Sequence, residues 1–244
     1  MDKEFKKQIK EDEFKSAVVH AFDWSKLHSA EVRITAAVAV ILAVLLGTVV
    51  YFQGAKRKEA EQGFAEAIET FSASVGTPSE APARGAKSFA TAQEKYTQAV
   101  TAFDGLARKF PTRPEGLRAK YLAALSRVEI GQYTEAEKTL GEIAADRRAG
   151  ALEPALARLA LADLYRRSGQ TDKAVAAFRE LAADTTSALP RDAALMSLAG
   201  TLEDAKRLAE ARASYKRLSE EFPQSVYAAE ARRRADRLTS AVES

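Results

Sequence analysis

The sequence predicts an all-α protein: one N-terminal transmembrane helix followed by a helical-repeat solenoid. Three observations carry this. Nineteen consecutive residues, Ile34 to Phe52, contain no charge. Beyond them a small residue recurs at Ala99, Ala136, Ala174 and Ala211, spaced 37, 38 and 37 residues apart. The composition is rich in Ala and has no Cys or Asn, with its 12 Gly and 7 Pro grouped where helices would end.

The chain begins with a polar leader, residues 1–33, that carries seven basic and seven acidic residues. Phe5, Ile9, Phe14, Val18 and Phe22 stand four or five apart in it, the spacing of one apolar helix face. A helix on a membrane surface, a helix docked to a partner and a disordered tail all fit that pattern.

The run "ITAAVAVILAVLLGTVVYF", residues 34–52, follows. At about 1.5 Å per residue it makes a helix of about 28 Å, close to the thickness of a bilayer's hydrocarbon core. Arg33 bounds it on one side and Lys56, Arg57 and Lys58 on the other. A cleaved signal peptide would have a shorter leader and a small-residue cleavage site after the apolar run. A buried core helix would show a polar face. The expectation is an uncleaved single span with a cytoplasmic N-terminus and the long C-terminal domain outside, since long polar domains translocate largely regardless of charge.

Residues 53–85 form a juxtamembrane helix and loop. The helix, from about residue 56 to 74, shows Ala60, Phe64, Ile68 and Phe71 on one face and continues the span. The loop "VGTPSEAPARG" then leads into residues 86–244, the repeat region with its C-terminal capping helix.

Within the repeats "EKYTQAVTAF", "GQYTEAEKTL", "GQTDKAVAAF" and "KRLAEARASY" align. Four residues after each repeated Ala comes Phe103, Leu140, Phe178 or Tyr215, and three further on Leu106, Ile143, Leu181 or Leu218. A single amphipathic helix shares the 3.6-residue spacing but not the long period. A preceding helix is expected at 115–130, 153–168 and 190–205, with Ala124, Ala162 and Ala199 where it meets its partner. "IGQ" and "SGQ" supply the Gly that ends the first two of these helices. The third has Lys206 and Arg207 there, so its turn is expected to differ or its helix to run longer.

This pattern resembles the tetratricopeptide repeat, over about residues 86–241. Pro111 and Pro223, each twelve residues after the repeat's Ala, match the Pro that often closes the second helix, while the period exceeds the usual length of about 34. With its tail, span and repeat domain, the chain resembles the YfgM family of membrane-anchored tetratricopeptide proteins, ancillary to the bacterial SecYEG translocon. That resemblance implies an inner-membrane protein with a periplasmic domain that binds exported polypeptides or periplasmic chaperones. The ending "YKRLSEEFPQSVYAAEARRRADRL" is similar instead to terminal repeats of the BamD and CpoB families, which implies a scaffold or tether in envelope assembly or cell division.

No catalytic constellation is visible. His20 and His28, the only histidines, lie in the leader eight residues apart, and the repeats contain neither His nor Cys. No Gly-rich phosphate loop or nucleophile elbow occurs. No cofactor, no metal and no enzymatic activity are expected. The net charge of +3 is small and both signs are interspersed, so nucleic acid is not an expected partner, and "RRRADR" reads as a solvated helix face. What the repeats offer is the surface lined by their first helices, with Arg118, Tyr121, Asp163, Arg166, Arg167, Met196 and Glu203 as the candidate partner-binding residues on the concave face. A ligand groove and a solvated inner wall are both compatible with these residue types.

Overall fold

The computed structural model describes residues 29–76, 87–146 and 150–242. The expected leader helix, both histidines, most of the loop after the first helix and the tip of the "ADRRAG" link lie outside the described residues. The chain divides into two compact units, Met1–Glu59 and Ala60–Ser244.

All described residues of the first unit belong to one helix, α1 (Ser29–Ser72), which continues into the second unit. By length and composition α1 is long and apolar enough to cross a membrane. Its Val, Leu and Ile side chains between Val38 and Val50 are about half to two-thirds exposed, whereas exposure of isolated apolar residues is the ordinary case for a protein surface.

In the second unit α1 ends in a face that packs. Ala60 and Ala67 are buried against Ala99, Phe103 and Leu106 of α2 (Ala92–Lys109) and Ala119 and Ala123 of α3 (Pro114–Glu129). Phe103 holds Phe64 and Phe71 at ring-centroid distances of 6.1 and 6.0 Å, within the range at which aromatic pairs attract. A link unforeseen in the sequence joins α1 to α2: β1 (Ser74–Val75) pairs in parallel with β2 (Ser88–Phe89). Two residues per strand are too few for an alternation pattern.

The remaining helices are α4 (Tyr133–Ala144), α5 (Leu152–Arg167), α6 (Thr171–Ala183), α7 (Arg191–Asp204), α8 (Leu208–Glu221) and α9 (Ala228–Val242). Each packs on its chain neighbours, and α3 also touches α5. Thus α3 and α4, α5 and α6, and α7 and α8 are the expected hairpins, stacked as a solenoid with α9 covering the last. The repeated Ala136, Ala174 and Ala211 are each fully buried, as are Leu140 and Tyr215, with Phe178 nearly so.

The turns inside the hairpins are alike in all three repeats, which corrects the expectation for the last one. Gly131 and Gly169 take φ of 76° and 75°, and Lys206 takes 61° in the same place. After α3 the Gly131 amide donates to the Val128 carbonyl and that of Gln132 to Arg127. After α7 the Lys206 amide donates to Glu203 and that of Arg207 to Leu202. This pair of bonds satisfies the last carbonyls of the helix and requires a left-handed residue. Lys adopts that conformation at a cost of about 1–2 kcal/mol, which Gly avoids.

Candidate partner-binding surface

Each first helix is covered by its own second helix and the preceding second helix, and α3 and α5 also touch each other. One strip of each remains partly open. Counted from Ala124, Ala162 and Ala199, the position three residues before holds Tyr121, Leu159 and Met196, and the position one after holds Leu125, Asp163 and Gly200. Five after stand Glu129, Arg167 and Asp204, and six before Arg118, Leu156 and Ala193. These sites are half-buried or exposed throughout. Spacings of three and four keep them on one side of each helix, so the repeat lays them out in rows across α3, α5 and α7.

Of the residues singled out from sequence, Arg118, Tyr121, Asp163, Arg167 and Met196 fall in these rows. Arg118 is exposed and near the start of α3. Tyr121 packs partly against the core that includes Leu140 and Leu164, and burial raises the pKa of its phenol. It is therefore neutral and able to donate at physiological pH. Met196 rests half-buried on the core of the later repeats, a flexible apolar surface that can adapt its shape.

The charged members pair. Arg167 reaches one full repeat back, its guanidinium donating to both carboxylate oxygens of Glu129. That bond holds the Glu129 carboxyl below its ordinary range even though partial burial opposes it. Arg166 donates from Nε (3.1 Å) and Nη2 (2.5 Å) to Asp163 Oδ1 within its own helix. Arg166 is exposed, but it occupies the position that in α3 is the buried Val128, at the margin of the rows.

Glu203 lies off the rows. Its carboxylate accepts from Tyr215 Oη at 2.8 Å and from Arg234 Nη1 at 3.4 Å. Arg234 also donates to Tyr215 Oη (3.1 Å) and to Glu230 (2.7 Å), fastening α9 to α7 and α8. The reason is angular. One residue turns a helix position by about 100°, and Glu203 is one residue short of Asp204, the true member of the row. Sequence reasoning had also passed over Leu125, Leu156, Leu159 and Glu129, which the 37–38-residue period would have located.

Among the described residues no cluster of three His, Cys, Asp or Glu side chains could hold a metal ion. The rows present amide-free, mixed chemistry: Tyr hydroxyl, Met and Leu surface, and cations beside anions. Such a strip can bind another molecule by burial and hydrogen bonding, and it contains no nucleophile beside a general base.

The family model described as tetratricopeptide repeat matches residues 90–154 and again 159–226. No curated protein matches the chain. Two solved structures of nearly identical TPR-like repeats from a kinesin light chain of Podosopora anserina are similar in fold, one of them a single-substitution variant. Each superposes with a TM-score of 0.50 at 17% identity over 62% of this chain, and over 82% and 81% of the other.

Proposed function

Because the chain belongs to the tetratricopeptide-repeat family, whose domains bind other proteins, we propose that it is a membrane-anchored, non-enzymatic module that takes its partners along the rows of α3, α5 and α7. The observation that carries this reading is the alignment of Tyr121, Leu159 and Met196, flanked by Arg118 and the Glu129–Arg167 pair, on the open side of three consecutive first helices. An extended or helical polypeptide suits such a strip, because apolar anchors and charges of both signs alternate along it. Nucleic acid would favour a uniformly basic face.

The anchor is residues 34–52 of α1, supported by their length, their lack of charge and their exposed apolar side chains. On this reading the protein sits once in the bacterial inner membrane, N-terminus in the cytoplasm and repeats in the periplasm, where it binds exported polypeptides or periplasmic chaperones near the translocon. Alkaline phosphatase fused after Ser244 is then active, and a fluorescent GFP fusion at the same place in its stead reverses the orientation. A photocrosslinker at position 121 or 167 gives protein adducts in cells, and one at the exposed Ala213 of α8 gives none. Equal labelling at all three overturns the strip as the site.

A second reading, a scaffold or tether in envelope assembly or cell division, is favoured by the terminal segment "YKRLSEEFPQSVYAAEARRRADRL". A tether retains its complex when Tyr121 and Arg167 are substituted and loses it when residues 34–52 are replaced by another span.

A further inference from the structure

The side of each first helix opposite these rows faces the gap between successive second helices, and the repeats fill that gap in three different ways. On α3, Ala123 is fully buried, Lys120 pairs with Glu142 of α4 (2.6 Å), and Arg127 with Asp104 of α2 (2.5 Å). On α7 the equivalent residues are Leu195, Leu198 and Leu202, all 4% exposed or less. On α5 they are Arg158, Leu161 and Tyr165, which line an open cleft of ≈ 560 Å³ with Ala177, Glu180 and Leu181 of α6.

The repeats also differ at one position of their second helices. Five positions after the repeated Ala, α2 has Asp104, which closes its gap by pairing with Arg127, and α6 has Arg179, which reaches Glu210 of α8 at 3.3 Å. At that position α4 has Gly141, and a Cβ built there meets nothing within 4 Å. At this repeat position α4 therefore has no side chain, and the polar link from α4 to α6 is instead the Lys173–Glu137 pair at 3.5 Å. The floor of the cleft is aliphatic and aromatic carbon from Leu161, Leu181, Ala177 and the Tyr165 ring. The size falls within the range of small-molecule and side-chain pockets, about 300–1,000 Å³.

The rim carries the charge information. Arg158 pairs with Asp184 at 3.5 Å at one end. At the other, Tyr165 Oη donates to Glu137 at 2.9 Å, and Lys173 Nζ lies 3.5 Å from the same carboxylate and 5.0 Å over the Tyr165 ring. Among the described residues Glu180 alone of the charged lining side chains has no ion pair, so the cleft offers one unneutralised carboxylate beside an apolar floor.

We propose that this cleft over α5 and α6 is a second docking site, distinct from the rows, and that it takes a polypeptide segment presenting a large apolar side chain next to a Lys or Arg. The apolar side chain fills the floor, and the cation pairs with Glu180. Desolvated aromatic anchors of this kind dominate the energetics of small interfaces, and a flanking charge supplies orientation and choice of partner.

The test uses the full-length protein in mild detergent and a short fluorescein-labelled peptide with one Trp flanked by lysines, compared with the same peptide carrying Glu for Lys. Fluorescence anisotropy should show binding of the lysine peptide and little of the glutamate one. Gly141→Arg restores the residue type that α6 has, in open space, and should weaken binding about tenfold or more, as should Ala177→Trp. Glu180→Lys should invert the preference between the peptides, and Tyr121→Ala should leave binding unchanged. Circular dichroism melts that match the parent protein show that Gly141→Arg and Glu180→Lys keep the fold. Equal affinity for both peptides, or unchanged affinity in both Gly141→Arg and Ala177→Trp, overturns the proposal. Binding lost only in Tyr121→Ala places the peptide on the rows instead and equally overturns it.

Discussion

In the first two repeats the first and second helices meet in the same core but bring opposite side chains to it, whereas α7 also buries Leu195, Leu198 and Leu202. On α3 the buried apolar residues are Ala119, Ala123, Ala124 and Val128, and on α5 Ala155, Ala157, Ala160, Ala162 and Leu164. On α4 they are Ala136, Leu140 and Ile143, and on α6 the Ala174–Val175 and Leu181–Ala182 pairs with Phe178. Helices α3 and α5 are surrounded, so they need small residues on several sides to let neighbours approach. The second helices are covered on one side only, and there they supply the bulk. A surrounded helix has little amphipathic signal, while a one-sided helix shows a clear stripe. The surface left for a partner is thus the narrow strip on the first helices, while the open outer faces of the second helices carry charge.

The contrast breaks most visibly at the bulk. Phe178→Ala removes a nearly fully buried ring from the centre of the later repeats and should cost about 3–5 kcal/mol, read as a lowered urea midpoint of the detergent-solubilised protein. The reverse change tests the first helices. Ala162, fully buried in the same cluster, becomes Leu at a cost of about 1–3 kcal/mol from overpacking. If Ala162→Leu were neutral while Phe178→Ala were costly, the first helices would not be the closely approached partners that the contrast requires.

Tyr215 sharpens the contrast because it is the one second-helix bulk residue at the repeated position with a polar tip. Its ring is fully buried while its hydroxyl joins Glu203 and Arg234. Burial first, and then the hydrogen bond to Glu203, push its pKa from the ordinary 10.0 up to about 12. The folded state therefore holds the phenolic proton more tightly than the unfolded chain. That stabilisation is complete below pH 10 and is lost as the pH rises through about 12. Tyr215→Phe leaves the Glu203 carboxylate with Arg234 alone, should cost about 1–2 kcal/mol at neutral pH, and should flatten the alkaline part of the stability profile. An unaltered alkaline decline would assign it to other groups.

The turn between the two helix types gives a smaller effect of opposite sign. Lys206→Gly relieves a left-handed Lys and should raise stability by about 1 kcal/mol, whereas Gly169→Ala should lower it by a similar amount. A loss in Lys206→Gly would mean that the Lys206 side chain contributes more than its backbone strain costs.

The repeats were legible because Ala136, Leu140 and Ile143 return with the same chemistry at Ala174, Phe178 and Leu181, and only a long period explains that. The hairpin turn at Lys206 was not, since its geometry is imposed by the stacked helices rather than by the residue. Of the strip, Tyr121, Asp163 and Met196 could be placed by aligning the repeats, while Glu203 was displaced by a single residue and so by about 100° around its helix. The cleft over α5 and α6 gave no signal, because Arg158, Leu161 and Tyr165 differ in chemistry from their counterparts in the other repeats and only the folded chain shows that they stand open.

The smallest effect concerns how the first helices are joined to each other rather than to the second ones. Glu129 and Arg167 occupy the same repeat position on α3 and α5, and their bidentate pair is the direct polar link along the strip. Both side chains are about one-third exposed, so solvent screening limits the pair to well under about 1 kcal/mol. A double-mutant cycle with Glu129→Gln and Arg167→Gln should give a coupling energy near about 0.5 kcal/mol that shrinks as salt is added. The consequence for binding is larger than that for stability, because a partner's acidic group competes with Glu129 for Arg167. Glu129→Gln frees the guanidinium at little cost to the fold and should increase photocrosslinking from position 121, while Arg167→Gln reduces it. If the two variants changed the adducts in the same direction, the pair would be acting as a brace that holds α3 against α5, and the strip would owe its recognition to shape rather than to charge.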